Sequence, residues 1–325
     1  GLAAGCCASR TERPAQAADA LRDALAEHRA EGALALFPRH PQLASALSAF
    51  ALREKIEVPH VRGIVRRQRL APPDCLIPEW PWPIAVRTLG KLEIWLDGDL
   101  VKASGKAPQR PLMLLKALLC GGESGKSQAA LADQLWPEAE SARSAVNVTI
   151  HRLRKLLGTD AAIVVASGTV ALNRKLVWTD ISDLCKVCNR VENLPAETAA
   201  AEVLRLVNAL LDLYRGPFCE GEESSWLIAA RDRWRNHFLA AVAALGKRLE
   251  AYGAWTDAIR LYLHALDNEP LAEAIHRGLM RCAHARNDSA AAYSAYRRCR
   301  DTLSIVLGRK PSPETEKLAI ALGLL

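Results

Sequence analysis

SARSAVNVTIHRLRKLL, residues 141–157, carries Val146, Ile150, Leu153 and Leu157 at spacings of four, three and four, which on a helix form one apolar stripe. Ser144, Asn147, His151 and Lys155 point away from that stripe, and Arg143, Arg152 and Arg154 flank it. No acidic residue interrupts the run from Ser141 to Gly158. A helix that buries one side and shows guanidinium, ammonium and amide groups on the other is suited to phosphates and base edges. The same pattern also describes a solvated amphipathic helix, so the flanking segments have to decide between the two.

The segments on both sides favour a DNA reader. Upstream, Ile84–Leu89, Lys91–Leu96 and Leu100–Val101 alternate as short strands, with Asp97-Gly98 as a hairpin signal. From Pro108 an apolar helix bearing Leu112, Leu115, Leu118 and Leu119 runs to Gly121-Gly122. Ser127 then caps a short helix that buries Ala130, Leu131 and Leu135 and stops at Pro137. Downstream, Ile163–Val165 and Val170–Leu172 flank a turn at Ser167-Gly168 and form a second hairpin. Sheet, three helices and hairpin in this order make a winged helix, whose third helix enters the major groove.

Residues 84–180 resemble the DNA-binding domain of OmpR/PhoB-type response regulators. The likeness rests on the pattern R-x-x-V-x-V-x-I-x-R-L-R, here Arg143, Val146, Val148, Ile150, Arg152, Leu153 and Arg154, and on the pair Leu135-Trp136. The resemblance implies that Arg143, Asn147, Thr149, His151, Arg152 and Arg154 contact bases or phosphates. Ser144, Lys155, Lys126 and, on the hairpin, Thr169 complete the expected DNA-binding set. An acidic residue is common in the family where Asn147 stands, so the base preference at that step is not transferable.

From about Glu197 onward the apolar spacing is helical throughout. Ala258, Tyr262 and Ala265 recur 34 residues later as Ala292, Tyr296 and Cys299. That is the tetratricopeptide period, in which small residues let paired helices approach and tyrosines fill the gap. With Tyr214–Phe218 upstream and Ala295–Arg300 downstream, the region resembles a bacterial transcriptional activator domain (BTAD), which follows a winged helix in SARP-type and larger multidomain regulators.

Ahead of the strands, residues 1–70 read as helices. One follows Pro14 with Ala17, Leu21, Ala24 and Leu25 in phase and stops at Gly32. A second runs from Pro41 to Lys55 over Leu43, Leu47, Phe50 and Ala51. A third, Val58 to Arg69, carries Val61, Ile64 and Val65 beside an arginine knot, Arg62, Arg66, Arg67 and Arg69, read as a solvated face with nucleic-acid contact as the alternative. Five prolines between Pro72 and Pro83 make residues 71–83 a linker, with Trp80 and Trp82 docking on a neighbouring domain. The expected organisation is therefore an α-helical segment at 1–70, a linker at 71–83, a winged helix at 84–180 and a BTAD-like helical domain at 181–325. The fold class is mainly α with a small β component. Because the first residue is Gly1, the chain is read as part of something longer, with an ATPase or sensor upstream as one possibility.

Composition agrees with this organisation. The 325 residues, half of them apolar, suit two or three globular domains, and the formal charge of +7 is clustered in the arginine knot and in residues 143–155. No apolar run reaches the roughly 18 residues that span a bilayer, and no signal-peptide pattern is present, so no membrane association is expected. Nine scattered cysteines, an odd number, read as reduced thiols of a cytoplasmic protein.

The remaining motifs do not support enzyme chemistry. Cys120–Ser127, CGGESGKS, lacks the first glycine of a phosphate-binding loop and follows a helix rather than a strand. Cys185-Lys-Val-Cys188 is a single pair, without the two further ligands zinc needs. The eight histidines form no catalytic arrangement. The expectation is a sequence-specific transcriptional regulator, an activator without catalytic residues, cofactor or metal. It would bind promoter DNA at the nucleoid, contact RNA polymerase and assemble as a homodimer or oligomer. The alternative is a repeat scaffold whose winged helix makes protein contacts only.

Overall fold

The computed structural model describes residues 14–31, 40–73, 77, 80–101, 109–138 and 141–325. The expected stop at Gly32, the helix start at Pro108, linker Pro78 and the cysteines Cys6, Cys7 and Cys75 lie outside the described residues. Two compact units emerge: one is Gly1–Val86 with Glu93–Trp178, the other Arg87–Leu92 with Thr179–Leu325.

The first unit begins with α1 (Pro14–Glu31), α2 (Pro41–Arg53) and α3 (Val58–Gln68). Leu21, Leu25, Leu47, Leu52, Val61, Ile64 and Val65 form their shared core. Leu43, expected to point inward, is 36% exposed, and Leu52 takes the inner place instead. Trp80 is buried in this same helical core, with Trp82 packed against it.

The winged helix follows. β1 (Ile84–Arg87), β2 (Glu93–Leu96), β3 (Asp99–Leu100) and the later β7 (Val177–Thr179) form a sheet in the order β3-β2-β1-β7. Asp97 and Gly98 both take positive φ, 51° and 96°, as a two-residue hairpin turn between twisted strands requires. Three helices come next: α4 (Gln109–Cys120), α5 (Gln128–Leu135) and α6 (Ala142–Leu156). Leu114, Leu115, Leu118, Leu131, Leu135, Val146, Ile150 and Leu153 close their core. The hairpin β5 (Ile163–Ala166) and β6 (Thr169–Leu172) gains a third strand, β4 (Lys126–Ser127), which pairs antiparallel with β6.

The second unit is helical: α7 (Asp180–Glu192), α8 (Ala200–Leu213), α9 (Ile228–Ala251), α10 (Trp255–Asn268), α11 (Glu273–Ala285), α12 (Ser289–Leu307) and α13 (Pro313–Ala321). All six residues of the 34-residue repeat are buried. Tyr262 fills the space left by two glycines: a Cβ at Gly246 or at Gly278 would fall 2.2 Å or 2.5 Å from its ring or hydroxyl atoms. Its hydroxyl donates to Glu250 Oε1 at 2.6 Å, and the same carboxylate receives both arms of Arg281 at 2.8 Å. In the second repeat the tyrosine hydroxyl again donates to a carboxylate, Tyr296 to Glu316 at 2.9 Å. Tyr214, from the motif upstream of the repeats, stacks on Phe238 with centroids 3.7 Å apart and donates to Glu269 at 2.8 Å.

Arg87–Leu92 is also built into this unit. The Thr88 carbonyl accepts from Cys219 N–H at 2.7 Å, the Gly90 carbonyl accepts from Glu220 N–H at 2.8 Å, and Gly90 N–H donates to Pro217 at 3.1 Å. Asp180, 1% exposed at the start of α7, holds the same segment. Its Oδ2 accepts from Thr88 N–H at 2.5 Å and from Leu89 N–H at 2.7 Å, and its Oδ1 accepts from the Thr88 hydroxyl and Ile181 N–H, each at 2.9 Å. Burial pushes this carboxyl above its ordinary value, opposed by those four donors.

Candidate nucleic-acid interface

The face of α6 follows from its period. Val146, Thr149, Ile150 and Leu153 are turned inward, while Arg143, Ser144, Asn147, Val148, His151, Arg152 and Lys155 are exposed. This exposed set is continuous along the helix and contains no acid.

Of the ten expected DNA contacts, three also donate side-chain hydrogen bonds within the fold. Thr149 is 4% exposed and its hydroxyl donates to the Ala145 carbonyl at 2.7 Å, so it belongs to the packed side. Arg154 is half-buried and donates to the Ile163 carbonyl at 2.8 Å, bracing the hairpin against the helix. Lys126 is half-buried and donates to Gln134 at 2.6 Å, at the root of the wing. Asn147 stays exposed, and its side-chain oxygen accepts from Gln128 Nε2 at 3.2 Å. Thr169 is half-buried and opposes Ala166 and Ser127 next to the wing turn.

The sequence reading passed over Val148, 48% exposed amid the polar face, and Val164 and Val165 on the wing. For Val148 the helical period carries the signal, since at about 100° per residue it falls opposite the stripe of Val146, Ile150, Leu153 and Leu157. The valines of β5 look like core on hydropathy alone, but they point to opposite faces of the strand and both faces are exposed there.

CGGESGKS is the link that ties the wing to α5. Ser127 accepts from Ala130 N–H at 3.1 Å as the helix cap, and Gln128 N–H donates to the Gly168 carbonyl at the wing turn. Gly125 has φ +73°, and a Cβ there would fall 2.4 Å from the Val170 carbonyl oxygen. Backbone conformation and backbone proximity both exclude a side chain. Gly125→Ala should therefore open the β4–β6 pairing at a cost of about 1–3 kcal/mol, seen as faster amide exchange at Val170 with the second unit's exchange unchanged.

Cys188 is 2% exposed with its thiol against the His237 carbonyl, and burial pushes it up to about 12, so it is not a reactive thiolate at neutral pH. Among the described residues no group of three or more His, Cys, Asp or Glu could hold a metal ion, and no helix is long and apolar enough to cross a membrane.

Comparison with known proteins agrees with this architecture. Residues 179–322 match the family model of the bacterial transcriptional activator domain. The regulatory protein AfsR of Streptomyces griseus is 25% identical over 235 residues, which cover 71% of this chain but 23% of that protein. The structure of Mycobacterium tuberculosis EmbR, solved with a low-affinity phosphopeptide, superposes with a TM-score of 0.56 at 20% identity, covering 74% of this chain and 65% of that one. That likeness speaks for the fold. Residues 179–322 thus match a bacterial transcriptional activator domain and stand behind a winged helix, an arrangement similar to that of the SARP-type regulators.

Proposed function

We propose that the protein is a sequence-specific regulator of transcription that binds double-stranded promoter DNA. The observation that carries this reading is the acid-free exposed face of α6, held rigidly between the α5 cap and a wing tied to it by Arg154. In this reading α6 lies in the major groove with His151, Asn147 and Ser144 at base edges. Val148 meets a thymine methyl, and Arg143, Arg152 and Lys155 bind bases or phosphates. The wing turn Ser167-Gly168, with Thr169, runs along the adjacent backbone. The helical-repeat unit serves dimerisation, RNA polymerase contact or signal sensing, and the regulator acts as an activator at the nucleoid in the bacterial cytoplasm, without enzymatic chemistry.

The test is a gel-shift titration of the full chain on a duplex recovered by selection from random DNA. Arg152→Ala and His151→Ala should each weaken binding by about 1–3 kcal/mol. Wild-type affinity should fall steeply with salt, because several phosphates are neutralised. Unchanged affinity in both variants would refute the reading.

A second reading has one observation behind it. Ile305, Val306 and Ile320 in the repeat unit are 84%, 57% and 63% exposed, which suits a protein scaffold. Association through such an apolar surface would persist at high salt, whereas the DNA complex would not.

A further inference from the structure

The arginine knot of α3 is left unused by the reading above. The helix buries Val61, Ile64 and Val65 and exposes Arg62, Arg66 and Arg67, with Arg69 exposed just beyond it. Arg62 and Arg66, four apart, share a face, and Arg69 extends the run as the left-handed cap residue beyond the last turn. No acidic residue occurs from Val58 to Pro73.

This stripe is fixed in place within the first unit. Arg66 donates to the Asp97 carbonyl at 2.5 Å, and its Nε lies 3.6 Å from the Asp97 carboxylate. The β2–β3 turn that receives it borders the end of α6: a Cβ at Gly158 would stand 3.8 Å from Leu96 Cδ1. Lys155 is exposed in the last turn of α6. The arginine stripe, the turn and the end of the recognition helix therefore make one connected stretch of surface. Asp97 offsets one guanidinium, and among the described residues Arg62, Arg67 and Arg69 have no ion-pair partner. From residue 62 to residue 69 a helix rises about 10 Å, a length over which duplex DNA presents several phosphates.

We infer that the arginine stripe of α3 binds DNA phosphates flanking the bases read by α6, so that the N-terminal helices enlarge the DNA footprint. The inference rests on the DNA-binding reading, and its test separates the two. The full chain is titrated on the selected duplex trimmed to its core and on the same duplex extended by about one helical turn on each side. Wild type should prefer the extended duplex. Arg62→Gln/Arg69→Gln should lose that preference while binding the core duplex as before, and Arg62→Lys/Arg69→Lys should keep it. Two lost phosphate contacts flatten the salt slope by about two units, so from about 50 to 200 mM salt wild type should lose about tenfold more affinity for the extended duplex than the glutamine variant. Equal slopes and equal affinities on the extended duplex would overturn the inference and assign the stripe to solvent or to an acidic protein, leaving the α6 reading intact. Failure of wild type to bind either duplex in a salt-dependent way would overturn both.

Discussion

Asp180→Ala should lower the stability of the second unit by about 3–5 kcal/mol, since two buried backbone N–H groups each lose an acceptor at about 1–3 kcal/mol. The donors at risk are Thr88 N–H and Leu89 N–H, both buried, with the Thr88 hydroxyl beside them. Asp180→Asn separates geometry from charge. Whichever way the amide is placed, its NH2 faces a backbone N–H: those of Thr88 and Leu89 on one side, that of Ile181 on the other. The Thr88 hydroxyl can rotate to accept, but the backbone cannot. Asparagine should therefore cost roughly half as much as alanine, about 1–3 kcal/mol, by the mismatch alone. Urea unfolding followed by tryptophan fluorescence measures both. An asparagine variant as stable as wild type would show that the donors find other partners.

The second large effect concerns the tyrosine wedge. Gly246→Ala and Gly278→Ala each place a methyl group inside the van der Waals surface of Tyr262, whose ring is gripped on both sides and whose hydroxyl is anchored to Glu250. The ring cannot turn aside without giving up that bond, so each substitution should cost about 3 kcal/mol, the upper part of the range for overpacking. The effect belongs to the ring, and a double-mutant cycle can show it. In a Tyr262→Ala background the added methyl groups enter vacated space, and each glycine replacement should become neutral or stabilising by up to about 1 kcal/mol from helix propensity. Equal penalties in both backgrounds would mean that the glycines serve the backbone rather than the ring.

How much of this was legible depends on the range of the interaction. The stripe of α6 and the repeat at Ala258, Tyr262 and Ala265 declare themselves because a helix writes its period into the sequence, and small and aromatic residues at fixed spacing admit few other meanings. The clasp at Asp180 does not. An acid after a threonine at a helix start reads as an ordinary first-turn acid, and its partners stand 91 and 92 positions away. The strands β4 and β7, two and three residues long, are too short to alternate visibly. The resemblance to a family motif assigns Thr149 and Arg154 positions only, whereas the hydrogen bonds to Ala145 and Ile163 set their direction. Val148 shows the reverse, a motif valine that the helix leaves in the open.

Incorporation of Arg87–Leu92 into the helical unit also restricts how such regulators can be rearranged. In chain order, residues 93–178 are an insertion within the unit that starts at Arg87 and resumes at Thr179, so the winged helix cannot be exchanged by one crossover at the proline-rich stretch. A swap made there would install a foreign strand end against Asp180 and the Pro217–Glu220 loop. Recombination has to keep Ile84–Val86 with residues 93–178, whose sheet they complete, and Arg87–Leu92 with the host's helical unit. Chimaeras that respect both partnerships should express as folded protein, while those joined once near residue 83 inherit a mismatched clasp.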